Sequence, residues 1–434
     1  MAAKINTAPP RGTRDVLPDE VELRDAATQR ILAVYRSYGF RRIETPALES
    51  LALLAGSDGG ENEKLIFKIL KRGEDLEAAL RAGSRDLADL GLRFDLTVPL
   101  ARYYAENHAE LPDPLKAIQI GPVWRAERPQ KGRYRQFTQC DIDVLGAASP
   151  LIEIELILAT CEALRAAFSL PELTVRINDR RILSRIARHC GFPEREEASF
   201  FIAFDKLDKV GAQGVLAELR QAGRNPRAIE RFERLLPALQ KGDLSLDALR
   251  AALDAADEPA FAWLATIIDA AAGALPAGAR LAFDPTLVRG MGYYTGTIFE
   301  VVMPDFSGSV AGGGRYDRMI GKLLGRDVPA CGFSIGFERL VGILGERGGS
   351  TSALTAGGQA RRVALLVEEG ADVGRALTAA RALRAAGDHV SVELRRKNVG
   401  KQLDDLARHG FDAHATLDAA GAPVVKALTR RERG

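Results

Sequence analysis

Residues 116–145, KAIQIGPVWRAERPQKGRYRQFTQCDIDVL, hold the densest set of side chains able to do chemistry. Two β-rich segments flank a polar loop, ERPQKGRY, in which Arg128, Lys131 and Arg133 stand close together. A loop between paired strands is exposed, so this one carries concentrated positive charge. The second segment alternates. Arg133, Arg135, Phe137, Gln139, Asp141 and Asp143 fall on one face, and Tyr134, Cys140, Ile142 and Val144 on the other. Such a strand is a poor core element and a good floor for a polar pocket. Its Arg, Phe and Asp suit a phosphate, a flat ring and an amine respectively. A solvated hairpin with salt-bridged side chains has the same alternation, so this segment alone leaves both readings open.

Three further segments bear on the choice. In LRFDLTVP, Asp95 ends a strand just before a helix opened by Thr97 and Pro99. A carboxylate there either caps the helix or faces a ligand. In LVRGMGYYTGTIFE, Arg289, Gly290 and Gly292 precede Tyr293 and Tyr294. This is either a glycine-rich bulge with core tyrosines, or backbone approaching a ligand with Arg289 supplying charge and a tyrosine a hydrogen bond. In AGGGRYDRMIG and CGFSIGFERLVGIL, Gly332 and Gly336 let a flat ligand lie against backbone, and Arg339 in the next helix has the reach for a phosphate. Neither GxxxxGK[ST] nor a GxGxxG opening a helix occurs at these glycines, which excludes Walker-type and Rossmann sites.

The elements that must position these residues follow from periodicity. At 434 residues the chain is expected to form two or three domains. Its 46% apolar and 27% charged content is that of an ordinary globular protein. No stretch is long and uncharged enough to span a bilayer, and MAAKINTAPPRGTRD lacks an apolar signal core, so a cytoplasmic protein without a membrane partner is expected. Cys140, Cys161, Cys190 and Cys331 form no CxxC pair and the five histidines are scattered, so no metal ligand is assigned. A formal charge of +2 means that any nucleic-acid contact must come from local patches.

Helices are predicted over Pro18–Ser37, 97–108 and Pro150–Ser169, the last with Glu153 and Glu155 in its opening turns. RRIETPAL reads as a short strand closed by Pro46, and LIFKIL (65–70) and LGLRFDL (90–96) as strands. Residues 179–275 are almost continuously helical in pattern, which predicts a helical insertion. Strand chemistry returns at 287–303 and 331–336. ERGGSTSALTAGGQA marks a linker at 346–360, and 361–434 alternates β-α-β-α-β-β, a small α/β domain with a largely parallel sheet.

YGFRRIETP (38–46), VWRAERPQKGRYRQFTQCDIDV (123–144) and GFSIGFERL (332–340) resemble motifs 1, 2 and 3 of class II aminoacyl-tRNA synthetases. ERPQKGRYRQF, LVRGMGYYTGTIFE, GGRYD and FDKLDKV (204–210) resemble the histidyl-tRNA synthetase family in particular, and the likeness runs along essentially the whole chain. The resemblance implies an α/β fold with an α+β catalytic core, built on a mixed, mostly antiparallel sheet flanked by helices. Catalytic core would occupy 1–178 and 276–345, the insertion 179–275, and an anticodon-binding domain 361–434. It implies ATP and Mg2+ as cosubstrate and cofactor, L-histidine and tRNA-His as partners, and a homodimer paired through motif 1, although the strand and Pro46 are equally compatible with internal packing.

By the same resemblance, Arg125 would bind the α-phosphate, Arg339 the γ-phosphate end of a bent ATP, and Phe137 would stack on adenine, with Arg133 also at the nucleotide. Arg289 would stabilise charge developing on the α-phosphate, a place other class II enzymes fill with an additional metal. Asp95, Thr97 and Gln139 would receive the amine and carboxylate of histidine. Asp143 and Tyr294, with Tyr293 and Arg289 alongside, would bind the imidazole. The chain departs from many relatives at Gly292, where Asp is usual, and at Asp95 and Asp143, where many bacterial relatives have Glu. Its C-terminal domain is also short. Two rival readings are a non-catalytic paralogue regulating ATP phosphoribosyltransferase and an RNA-binding module without catalysis. The basic runs RRKNVGK (395–401) and RRER (430–433) suit tRNA backbone or plain solvated surface.

Overall fold

Alternation in the sequence becomes pairing in the computed structural model, which describes residues 6–428 apart from 57–60, 130–132, 242–243, 256–257, 290–291, 305, 307, 347–360, 370 and 419. Its strands are β1 (Arg41–Arg42), β2 (Leu48–Ser50), β3 (Lys68–Leu70), β4 (Ala88–Leu92), β5 (Leu115–Trp124), β6 (Gln136–Leu145), β7 (Leu173–Asp179) and β8 (Ala279–Phe283). There follow β9 (Thr297–Val302), β10 (Ser309–Arg315), β11 (Ala330–Ile335), β12 (Arg362–Val367), β13 (His389–Leu394), β14 (Ala413–Leu417) and β15 (Pro423–Ala427). The chain divides into two compact units, residues 1–16 with 27–348 and residues 17–26 with 349–434.

In the larger unit, eight strands form one sheet in the order β1-β5-β6-β11-β10-β9-β7-β8. Pairing is antiparallel except at the two edges, where β1 runs parallel to β5 and β7 to β8. The Pro150–Phe168 helix covers it with Ile152, Leu156, Ile157, Leu164 and Phe168 buried, its first turn capped by Ser149, whose Oγ accepts from Leu151 N. Six α-helices lie between Arg180 and Ala272, and no strand is found there among the described residues. Phe192, Phe200, Phe204 and Phe232 knit their core, the Phe200 and Phe232 rings meeting at 4.8 Å and 70°.

The smaller unit carries the sheet β13-β12-β14-β15, parallel up to its antiparallel last pair. In β12, Val363 and Leu365 join one apolar cluster while Ala364 and Leu366 join another, so both faces are covered, as a parallel central strand requires. The β-α-β-α-β-β expectation and the mixed α/β fold class are thus observed. No helix of the described residues is long and apolar enough to cross a membrane.

Several strands are shorter than expected. β1 holds only two residues, and of the strand expected over 65–70 only Lys68–Leu70 is strand, Leu65 ending the Glu61–Leu65 3-10 helix. β4 ends at Leu92 instead of 96, because the Arg93 side chain turns in to donate to the carbonyls of Thr45, Pro46 and Pro122. The strand expected over 287–303 begins only at Thr297. The 346–360 linker falls outside the described residues but for Glu346, which ends the Phe337–Glu346 helix.

Candidate active site

β6 lies between β5 and β11, and its two faces differ as the alternation predicts. Cys140, Ile142 and Val144 are fully buried on one side. On the other, Asp143 faces Gly332 across the β6/β11 pair, where any β-carbon would collide with Asp143 Oδ1. Glycine at 332 is therefore what lets the carboxylate lie flat on the sheet. Tyr316 Oη donates to Asp143 Oδ1 at 2.5 Å. Burial pushes the Asp143 carboxyl up to about 7, with the charge of Asp95 adding to the rise and the Tyr316 bond opposing it.

Asp141, two residues back, is held well above the carboxylate range by burial and by Asp143, with Asp95 adding and Ser334 and Arg125 opposing. Gln139 Nε2 donates to Ser334 Oγ on β11 at 3.3 Å. Asp95 is 2% exposed and accepts from Val98 N at 3.0 Å, so it caps the Thr97–Asn107 helix and also acts electrostatically on Asp141 and Asp143. The two readings of Asp95 are therefore compatible. Tyr293 hydrogen-bonds both Thr97 and Tyr294, and the two tyrosine rings lie 4.8 Å apart. Asp95, Thr97, Asp143, Tyr293 and Tyr294, with Gln139 linked through Ser334 and Asp141, thus form one connected acidic and phenolic cluster.

Arginines border it. Arg125 Nε donates to Phe94 O at 3.0 Å, which holds the guanidinium 5.1 Å over the Phe137 ring. Arg289 Nη1 donates to Glu300 Oε1 at 3.1 Å, and Arg339 Nη1 to Ser309 O at 2.6 Å. Burial lowers the Arg339 pKa, and the charges of Arg133 and Arg289 lower it further against Glu300. Arg133 and Arg289 thus lie within electrostatic reach of Arg339, an arrangement that suits a polyanion. Arg128 and Arg133 are exposed, as the loop reading expects, whereas Lys131 and Gly290 fall outside the described residues.

Other members of the site had no role assigned from sequence. Asp141 was placed on the polar face of its strand without a role of its own, and Tyr316 was visible only as a letter in GGRYD. Glu153, read as a helix-dipole residue, is fully buried and takes both Nε and Nη2 of Arg315 at 2.8 Å. Trp263 Nε1, from the helical region, donates to the same carboxylate at 3.0 Å. This clamp leads directly to Tyr316, the next residue after Arg315.

The large mixed sheet, its flanking helices and the small α/β unit together define the class II synthetase type. The family model for histidyl-tRNA synthetase matches residues 12–340. The histidine–tRNA ligase of Leifsonia xyli subsp. xyli is 49% identical, over 96% of each chain. That of Aeropyrum pernix is 37% identical over 95% of this chain and 91% of its own. The crystal structure of histidyl-tRNA synthetase from Nostoc sp. PCC 7120 superposes with a TM-score of 0.77 at 28% identity, covering 98% of this chain and 97% of that one. The chain belongs to the histidyl-tRNA synthetase family.

Proposed function

We propose that this chain joins histidine to tRNA-His in two steps: histidine and ATP give histidyl-adenylate and pyrophosphate, then the histidyl group passes to the 3′-terminal ribose. The observation that supports the reading is electrostatic: Arg133 and Arg289 act on Arg339 through charge, and Arg125 acts on Asp141 beside Asp143. In the first step a histidine carboxylate oxygen attacks the α-phosphorus, the new P–O bond forms, and the bond to pyrophosphate breaks. Both partners are anions, so the protein's task is to hold charge and line up the reacting atoms.

Arg125 takes the α-phosphate, Phe137 the adenine, and Arg133 and Arg339 the outer phosphates. Arg289 meets the charge that grows on the α-phosphate. Asp143, fixed by Tyr316, and Tyr294 address the two imidazole nitrogens, with Tyr293 orienting Tyr294. Asp95, Thr97 and Gln139 take the amine and carboxylate. Mg2+ travels as the Mg–ATP substrate, held by phosphate oxygens in its usual way. Among the described residues no group of three or more His, Cys, Asp or Glu could hold a metal by itself.

The catalytic core spans 1–178 and 276–345, the insertion 179–275, and the anticodon-binding domain 361–434. β1 stands at an edge of the large sheet, the place where motif 1 would pair two copies into a homodimer acting in the cytoplasm. Histidine-dependent exchange of pyrophosphate into ATP tests the enzyme reading directly. Absence of exchange in folded protein would favour the regulatory paralogue instead.

A further inference from the structure

Two buried oxygens on the pocket floor have no hydrogen-bond partner among the described residues: Asp141 Oδ1 and Gln139 Oε1. They belong to side chains two residues apart on one face of β6, and Asp141 is only 3% exposed. A carboxylate oxygen withdrawn from water without a donor is costly, so such an atom signals a missing partner.

The surrounding groups are already committed elsewhere. Gln119, opposite Asp141 on β5, gives its amide to Leu96 O. Ser334, opposite on β11, hydrogen-bonds Asp141 and accepts from Gln139 Nε2, and Oδ1 is still left over. Arg93 and Arg125 feel Asp141 through charge, but Arg93 donates to the Pro122, Thr45 and Pro46 carbonyls and Arg125 Nε to Phe94 O. Asp143 Oδ1 accepts from Tyr316 Oη and Asp95 Oδ1 from Val98 N, so neither of these bonds reaches Asp141.

We infer that Asp141 binds substrate, its Oδ1 joining Gln139 Oε1 and Asp95 as the acceptors of the amino acid's α-ammonium group. The inference rests on the pocket being the histidine site and adds a residue to it. An ammonium carries three N–H donors and no acceptor, so it needs three oxygens around it. It also brings the positive charge that lets a buried carboxyl ionise. Burial and the neighbouring Asp143 raise the Asp141 pKa well above that of an ordinary Asp, which such a charge would oppose. A neutral or anionic ligand would leave both orphaned oxygens as they are.

The test separates the amine from the ring. Histidinol keeps the amine and imidazole but lacks the carboxylate, and imidazolepropionate keeps the ring and carboxylate but lacks the amine. In Asp141→Asn the histidine KM in pyrophosphate exchange and the inhibition constant of histidinol are expected to rise roughly 10- to 100-fold, the loss of a charged hydrogen bond. The ATP KM and the imidazolepropionate constant stay unchanged. Equal weakening of imidazolepropionate, or no change for histidinol, would overturn the assignment. Calorimetry on the unaltered protein in two buffers gives a measurement independent of any variant. Histidinol binding should release more protons than imidazolepropionate binding, and equal release would overturn the inference. Failure of every imidazole ligand to bind the unaltered protein would overturn the pocket reading together with it.

Discussion

The guanidinium of Arg289 lies against the bare backbone of Gly312, so close that a β-carbon there would stand 2.7 Å from Arg289 Nη1. Gly312 is paired with Glu300 on β9, the residue that holds Arg289 from the side. A glycine and a carboxylate in register thus make a shelf for the Arg289 guanidinium, to which the proposed mechanism gives the charge growing on the α-phosphate. Gly312→Ala is expected to lift Arg289 from it and to cut the rate of adenylate formation by about 10²-fold, as loss of a preorganised donor does. The histidine KM should move little, because the affected charge develops only in the transition state. Pyrophosphate exchange in single and double variants checks this. If Gly312→Ala costs as much again in an Arg289→Ala background, the shelf is not how it acts.

Asp143 predicts a pH dependence. Its carboxyl titrates near 7 in the folded chain, far above the value of 3.8 for an ordinary Asp. Ionised Asp143 is the form that accepts an imidazole N–H, so the histidine KM should worsen as pH falls through 7. Tyr316→Phe removes a bond that favours ionisation, which should move that midpoint upward. A profile unmoved by the variant would assign the titration to free histidine instead. For stability, the folded chain binds this proton more tightly than the unfolded one. The contribution is complete below about pH 4 and is lost as pH rises through 7.

Glu153 and Arg315 form a buried pair, their side chains 0% and 5% exposed. Breaking it from one side strands a charge, so Glu153→Gln should destabilise the protein by about 3–5 kcal/mol. Replacing both residues with apolar ones of similar volume should cost far less. Denaturant unfolding of the single and double variants decides, and equal losses would mean that the charge itself is not at fault.

Recognition of tRNA is expected to draw on Lys397 and Lys401, exposed side chains in the smaller unit. Their neighbours Arg395 and Arg396 are already paired with Glu368 and Asp405. Lys397→Glu with Lys401→Glu should weaken aminoacylation of tRNA-His while leaving pyrophosphate exchange intact. The salt dependence of tRNA binding should become shallower, by about one unit of slope per lost phosphate contact. An unchanged slope would mean that these lysines face only solvent.

Much of the site could be read from letters because β6 obeys a period of two, and that rule alone put Phe137, Gln139 and Asp143 on one face. The Thr97 helix and the β-α-β-α-β-β tail were equally legible, since local pattern decides them. What escaped was whatever depends on distant partners. Glu153 looked like a helix-dipole residue because its counter-ion stands 162 positions away in Arg315. β4 was read too long because the inward turn of Arg93 has no periodic signature. Tyr316 stayed unassigned because its bond to Asp143 spans 173 positions. Nothing local to the run Gly312–Gly314 says that Arg289 lies against it.

β11 joins the two halves of the proposed chemistry on a single ribbon. Gly332 makes room for the Asp143 carboxylate, Ser334 steadies Gln139, and the helix that follows at once carries Arg339. A slip of one residue along this strand would turn each of these positions to the opposite side. Damage to the choice of amino acid would then also disable the energy source for joining it. A misregistered copy of this protein would be silent rather than error-prone, and a cell tolerates an idle synthetase far better than one that mischarges tRNA.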